Sequence, residues 1–348
     1  MTFDDFVFEL PDHLIARRPL EDRDRARLVV VNPEAGTIEH ARTGDLPDIL
    51  SDHQDDWQVV VNESRVIPST LEVPGDESPV AFGVDPATSR WQPLGDPRDV
   101  VHPHRVARNT SRAATALASS PQFERLLRTE GRPTLPRYLA HLAADIAGDP
   151  SPAFYNTVYA RVAGSVAPPS GGINLSPETL RRLRQQGTPR SALVHHVGAV
   201  TFRHPDSADL SGHRMEGERF AISQRTAERI VSNKAAGRRL LAVGTTSTRA
   251  LEYVGLNGGL GTPDAPHGRV GVADLFITPE HRFAMVDGLL TGLHAPRTTL
   301  FVLVASLAGR DLVMEAYEQA KARQYRWYTL GDSMLVLGRH HRTQPLAH

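Results

Sequence analysis

The run Leu240-Leu241-Ala242-Val243-Gly244-Thr245-Thr246-Ser247-Thr248-Arg249 passes from an apolar strand through a glycine and three hydroxyl residues into a helical pattern. A strand that turns at glycine into a helix start gathers backbone N–H groups and the positive end of the helix dipole. Both stabilise an anionic group such as a carboxylate or phosphate. Arg249, one turn into that helix, carries the planar fork for a bidentate pair with a carboxylate. An internal ion pair with Glu252 or Glu218 is the competing use of the same fork.

Acid–base chemistry near neutral pH points to histidine, and 16 are present. His294 falls between an expected strand end and an expected helix start, where α/β folds place ligands. It reads either as a general base or donor, or as a capping or packing residue. His195 and His196 are adjacent in an expected strand, so they point to opposite sheet faces and do not chelate one metal. His102 and His104 share a face in a proline-rich loop, an arrangement commoner for solvent-exposed histidines than for ligands. Glu218 is a partner for a substrate cation or for a nearby arginine. Tyr325-Arg326-Trp327-Tyr328 offers stacking surfaces for a base, or core packing beside a snorkelling arginine. Gly258-Gly259-Leu260-Gly261 neither follows a strand nor opens a helix, and no phosphate-loop motif occurs; it reads as a loop.

Zero cysteines exclude disulfides, thiolate nucleophiles and cysteine zinc sites. No apolar run reaches the ~18–20 residues that cross a bilayer, and acidic Met1-Thr2-Phe3-Asp4-Asp5-Phe6 lacks the character of a signal peptide. A cytoplasmic protein with no membrane association is expected. Net charge is −1, so no global field attracts nucleic acid. Arg105, Arg108, Arg112, Arg125, Arg128, Arg132 and Arg137 nevertheless face only Glu124 and Glu130, a local footprint for phosphate or a solvated helix face. Lys234 and Lys321 are the only lysines, leaving little scope for Schiff-base chemistry.

The elements that must carry these residues alternate. Residues 27–32 and 57–62 read as β-branched strands ended by asparagine. From Leu71 to Val101, short extended pieces broken by Gly75, Gly83, Pro86, Pro93 and Pro97 suit a small β-rich insert. A helix is expected over Ala107–Arg128 and a linker over Asp145–Pro152. Ser176-Pro177-Glu178 opens a helix that Gly187 closes, and the strand Ala192–His196 follows. Ser223 caps a helix ending near Gly237, then come the strand Arg239–Val243 and a helix from Ser247. A strand around Arg282–Leu290 leads into an apolar helix over Leu300–Ala308. The alternation argues for an α/β protein with a parallel sheet. At 348 residues, one large and one small domain are expected.

Ordered motifs sharpen this reading: Phe8-Glu9-Leu10-Pro11, Asn62-Glu63-Ser64-Arg65-Val66-Ile67-Pro68, Leu135-Pro136-Arg137-Tyr138, Tyr155-Asn156-Thr157-Val158-Tyr159, Gly164–Gly172, His196-Val197-Gly198, the Gly244-Thr245-Thr246 turn, His294-Ala295-Pro296 and Tyr325–Met334. In that order the chain resembles the S-adenosylmethionine:tRNA ribosyltransferase-isomerase family of queuosine biosynthesis, everywhere except residues ~70–130. The resemblance implies a Rossmann-like α/β domain from both chain ends, residues 1–70 and 150–348, with a small β-barrel-like insert over 71–149. It also implies transfer and isomerisation of the ribosyl part of S-adenosylmethionine onto an aminomethyl-7-deazaguanine in tRNA. Adenine and methionine leave. S-adenosylmethionine and tRNA are then substrates, with no cofactor and no metal. Expected catalytic residues are His294, His196, His213 and Glu218. Expected substrate contacts are Gly244, Thr245, Thr246, Arg249, Thr201, Tyr325, Arg326, Asp332 and Asn174.

The pattern is broken at several motif centres. Asn174 and Glu216 stand where the family has histidine, Gly292 and Glu63 where it has asparagine, and Glu280 where it has glycine. The family's insert glutamate element has no recognisable counterpart near Asp76-Glu77-Ser78. Asparagine is no acid or base near neutral pH, and new carboxylates repel phosphate while holding amines. Two further readings therefore stand beside the tRNA enzyme: a paralogue using S-adenosylmethionine on a small-molecule acceptor, and an inactive RNA-binding relative.

Overall fold

The computed structural model describes residues 1–52, 56–76, 79–84, 90–95, 111–143, 152–198, 205, 208–260 and 268–338. The expectations for His102/His104, Arg105, Arg108, Thr201 and Gly261, and most of the 145–152 linker, fall outside those residues.

Strands in chain order are β1 (Arg27–Asn32), β2 (Thr37–Arg42), β3 (Trp57–Asn62), β4 (Ser64–Val66), β5 (Thr70–Leu71), β6 (Val80–Val84), β7 (Trp91–Gly95), β8 (Val162–Ser165), β9 (Arg190–His195), β10 (Glu218–Ser223), β11 (Arg239–Val243), β12 (Gly268–Ala273), β13 (Gly288–Gly292) and β14 (Ser333–Val336). The α-helices among the described residues are α1 (Leu46–Asp52), α2 (Arg112–Ala118), α3 (Phe123–Glu130), α4 (Pro177–Gln185), α5 (Gln224–Ala235), α6 (Thr245–Leu256), α7 (Thr299–Ala308) and α8 (Arg310–Ala322). None of the helices described is long and apolar enough to cross a membrane.

The chain is a mixed α/β protein around a nine-stranded sheet, ordered β12-β10-β9-β3-β11-β13-β14-β1-β2. Strands β9, β3, β11 and β13 run parallel, as do β14 and β1, while β13 and β14 are antiparallel. The sheet is therefore mixed where the sequence suggested a parallel one. Side chains alternate between two cores. Val60, Leu240, Ala242 and Leu289 face a core shared with α5–α8 and Phe3, Phe6 and Phe8. Val59, Val61, Leu241, Val243 and Leu290 face the other, shared with α1 and α4. Helices on both faces explain why β3 and β11 are buried along their whole length.

Local signals account for most boundaries. Ser176 and Ser223 accept N–H bonds from Thr179 and Thr226 and so cap α4 and α5. Three boundaries differ from expectation. The helix expected over 107–128 is interrupted between α2 and α3, where Pro121 disfavours helical geometry at Ser120. Helix α6 begins at Thr245 rather than Ser247. The last central strand starts at Gly288, because the carboxylate of Glu252 takes the backbone N–H groups of Ala284, Met285 and Val286 and holds that segment as a loop.

Apart from the central sheet, β5, β6 and β7 form a three-stranded antiparallel sheet. Its apolar face, with Leu71, Val80 and Phe82, packs on Ala114 of α2 and Phe123 and Leu127 of α3.

Candidate active site

The topology gathers the motif residues on one edge of the sheet. The carboxyl ends of β9, β3, β11 and β13 lie there, and β14 and β1 begin at the same edge. Open α/β sheets bind ligands at this end of their parallel strands.

At its centre, Gly244 takes φ 90° to turn β11 into α6, and its N–H donates to Leu290 C=O at 2.7 Å. The first i→i−4 bond of the helix is Thr248 N–H to Gly244 C=O. The amides of Thr245, Thr246 and Ser247 precede it and are the donors a helix start leaves unpaired within itself. The Gly171-Gly172 turn covers this corner backbone on backbone. A Cβ at Gly171 would sit 2.6 Å from Gly244 Cα, and one at Gly172 would fall 1.7 Å from the Tyr159 hydroxyl.

Asn62, at the end of β3, ties three segments together. Its amide donates to His195 C=O at 2.8 Å and to the Thr246 hydroxyl at 3.2 Å, and its oxygen accepts from the N–H groups of Ser64 and His195. Beside it, Val197 N–H donates to Ser165 Oγ at 3.0 Å, Ser165 and Ser64 share a 2.6 Å bond, and Ser64 meets His196 Nδ1 at 2.7 Å. With the Ser64 proton directed to Nδ1, His196 carries its own proton on Nε2, which has no partner among the described residues. Burial, aided by the neighbouring His195 and Arg219, pushes His196 down to about 4, so it is neutral at pH 7. The ring seats on Gly164: a Cβ there would lie 2.4 Å from the imidazole.

His294 follows β13, its Nε2 bonded to the Thr291 hydroxyl at 2.9 Å and its backbone N–H held by the Tyr317 hydroxyl at 3.0 Å. The bond to Thr291 leaves Nδ1 as the nitrogen without a partner among the described residues. Burial pushes this histidine to about 4 as well. Two neutral imidazoles, each with one ring nitrogen tied down, thus flank the Gly244 corner along the edge.

Glu218 and Arg249 meet beneath this edge. The Glu218 carboxylate accepts from Arg249 at 2.5 Å, from His195 Nε2 at 3.0 Å and from Gly198 N–H at 2.7 Å. Burial raises its pKa, but the arginine, the histidine and the amide outweigh that and hold it below the usual carboxylate range. Arg249 also donates to the carbonyls of Leu275, Ala273 and Glu216. The internal ion pair is therefore how Arg249 uses its fork, in place of the clamp on a ligand carboxylate, and Glu218 faces that arginine rather than a free cation. The pair anchors the His195–Gly198 segment.

The remaining expected residues are spread along the same edge or away from it. Asn174 donates to Gly331 C=O and Ser333 Oγ at 2.8 and 3.0 Å and lines a cavity of about 190 Å³ with Arg23, Phe154 and Leu330. Asp332 is buried and accepts the backbone N–H groups of Arg27 and Arg326. Tyr325 bonds His40, and Tyr325, Arg326 and Asp332 line a wider groove of about 1010 Å³. The His213 ring packs edge-on against Phe276 and Phe3, centroids 5.0 and 5.6 Å away. Sequence reasoning missed Asn62, Ser64 and Ser165 as site members. Their signals are the motifs Asn62–Pro68 and Gly164–Gly172 that contain them and, for Asn62 and Ser165, a polar residue closing a strand.

Residues 3–336 match the family described as queuosine biosynthesis protein. The S-adenosylmethionine:tRNA ribosyltransferase-isomerase of Symbiobacterium thermophilum is 36% identical, over 97% of this chain and 100% of its own length. The protein of the same name from Pelotomaculum thermopropionicum is 35% identical with the same coverage. Among solved structures, S-adenosylmethionine tRNA ribosyltransferase from Thermotoga maritima aligns with a TM-score of 0.54 at 26% identity, covering 96% of this chain and 100% of that one.

Proposed function

The chain belongs to the queuosine biosynthesis protein family, and from that premise we infer that it is an S-adenosylmethionine:tRNA ribosyltransferase-isomerase. It transfers and isomerises the ribosyl moiety of S-adenosylmethionine onto an aminomethyl-7-deazaguanine of tRNA, releasing adenine and methionine. S-adenosylmethionine enters as substrate, with no separate cofactor. Neither the small-molecule paralogue nor the inactive relative is favoured by near-full-length relatives that share one name. The parallel block β9-β3-β11-β13 is read as the Rossmann-like part, made from residues 1–70 and 150–348. The β5-β6-β7 sheet is read as the nucleus of the β-barrel-like insert over 71–149. The site of action is the cytoplasm.

One observation carries the assignment of the site: a helix start, whose first amides have no partner within the helix, lies on the same sheet edge as two neutral histidines, each with one ring nitrogen hydrogen-bonded to a hydroxyl. The methionine carboxylate is assigned to the amides of Thr245 and Thr246, where the helix dipole favours an anion. His294 is assigned to the sulfonium side, where its free Nδ1 accepts the C5′ proton that the sulfonium acidifies. His196, with Nε2–H as donor, is assigned to the departing adenine. Glu218, with Arg249 and His195, acts through the 195–198 segment. Asn174, Tyr325, Arg326 and Asp332 border the acceptor side of the edge. Purified protein mixed with S-adenosylmethionine should release adenine, and precursor-bearing tRNA should accelerate that release. Release at the same rate without RNA refutes the tRNA reading.

A further inference from the structure

A groove of about 680 Å³ lies between α4 and the ends of β9 and β3. Arg161, Arg181, Arg184, Arg190 and Arg229 line it, against a single carboxylate, Glu63. All five arginines are exposed. Two of them are neutralised within the chain: Arg161 by Glu63 at 3.1 Å and Arg181 by Glu178 at 2.5 Å. No ion pair joins Arg184, Arg190 or Arg229 to a carboxylate among the described residues. In a protein of net charge −1, that is a concentrated positive strip.

The strip has direction. Arg190 is in register with Val59, and Leu193 with Asn62, so the groove follows the sheet from Arg190 to Glu63 over about 13 Å at ~3.3 Å per residue. That length accommodates several consecutive phosphates of a nucleic-acid strand, which carries one charge per ~3.4 Å of duplex axis. Pro177, Leu180, Arg181 and Arg184 give the second wall from one face of α4. One end opens at Glu63, next to Ser64 of the His196 relay. The groove is also bounded by Tyr159, whose hydroxyl packs on Gly172 of the turn covering Gly244. Arg190 stacks over the Tyr159 ring at 5.9 Å.

The geometry points to this groove as the track for the sugar–phosphate backbone of the acceptor RNA, leading the target base to the His196 end of the sheet edge. The inference rests on the tRNA reading above. It differs from the arginine cluster of 102–137 that the sequence displays: Arg112, Arg125, Arg128 and Arg132 belong with the small sheet and its helices. Three of the groove arginines, Arg181, Arg184 and Arg190, fall in one short run of the sequence, and the fold adds Arg161 and Arg229 to them.

The test is equilibrium binding of a tRNA transcript to the full chain across a salt series. It compares wild type, the double variant Arg184→Ala/Arg229→Ala and the double variant Arg125→Ala/Arg128→Ala. The groove variant should weaken binding roughly tenfold or more at physiological salt and flatten the log–log salt slope by about 1.5, near 0.7–0.9 per lost contact. Its calorimetric affinity for S-adenosylmethionine should be unchanged. If the groove variant keeps wild-type slope and affinity while wild type modifies tRNA, the groove assignment falls and the enzyme reading stands. The same holds if the loss appears only in the Arg125/Arg128 variant. If wild type neither binds nor modifies tRNA, both fall.

Discussion

The Ser64 hydroxyl lies 2.7 Å from His196 Nδ1, at the end of a hydrogen-bond chain that begins at the Val197 amide. With Ser64 as the donor in that bond, the imidazole proton sits on Nε2. Ser64→Ala removes the donor to Nδ1, and nitrogen-resolved spectra of the imidazole should show the Nε2–H tautomer lose its dominance. Adenine release should fall about 10–100-fold, less than the ~10²–10⁴ lost when an acid–base group is removed outright. Ser64→Thr should restore much of it. Unchanged turnover in Ser64→Ala would make the relay a packing feature only.

Gly164 is the complementary test. Any Cβ there collides with the His196 ring at 2.4 Å, and the backbone φ of 153° already disfavours other residues. Gly164→Ala should displace the imidazole and lower turnover at least as much as Ser64→Ala, while thermal unfolding still reports a cooperative fold. A variant with full activity would show that the ring's seat on Gly164 has no functional weight.

His294→Ala should reduce adenine release by about 10²–10⁴-fold, the usual loss for one acid–base group. Calorimetry should still register S-adenosylmethionine binding, since the proposed site assigns the ligand's carboxylate to the Thr245 and Thr246 amides instead. His294→Asn serves as a variant of similar volume, in case the buried site does not tolerate the cavity. Near-normal turnover in both would remove His294 from the chemistry.

Arg249→Ala should act on stability rather than on ligand contact. It strands the Glu218 carboxylate, 8% exposed, without its main cation. Breaking one partner of a buried pair costs about 3–5 kcal/mol, visible as a lowered denaturation midpoint. A variant of wild-type stability whose only defect is weak S-adenosylmethionine binding would return Arg249 to the ligand.

Acid should weaken the fold through buried His294 and half-buried His196. His196 and His294 titrate near 4 in the folded chain and near 6.5 when unfolded. The unfolded chain therefore binds more protons between those values. Their contribution is complete above pH ~6.5 and is lost as pH falls toward ~4. For fully buried His294 the loss is at most on the order of 3 kcal/mol. Melting temperature followed from pH 7.5 to 4.5 should decline across this window, and less so in His294→Asn. A flat profile would contradict the neutral assignment.

Much of this was legible in the sequence, for identifiable reasons. The Gly244 turn was visible because apolar residues, a glycine and hydroxyls follow one another without interruption. The caps at Ser176 and Ser223 were equally local. What escaped was non-local. Glu252 reads as an ordinary helix residue, yet four donors from 281–286 converge on it and prevent a strand there. The use of Arg249 depended on β10 passing beneath it, and the Ser64–Ser165 bond joins residues 101 apart in the chain. His213 was legible as a motif residue but not as a ring wedged between Phe3 and Phe276. Among the departures from the family pattern, Gly292 has room for more: a Cβ there would come no closer than 3.9 Å, to Tyr328 C=O.

The central claim is tested most directly by the nucleoside composition of the acceptor. Precursor-bearing tRNA incubated with the protein and S-adenosylmethionine, then digested and weighed by mass spectrometry, should yield a nucleoside heavier by the epoxycyclopentanediol group, with one adenine released per modified base. Adenine release without any change in nucleoside mass would contradict the account.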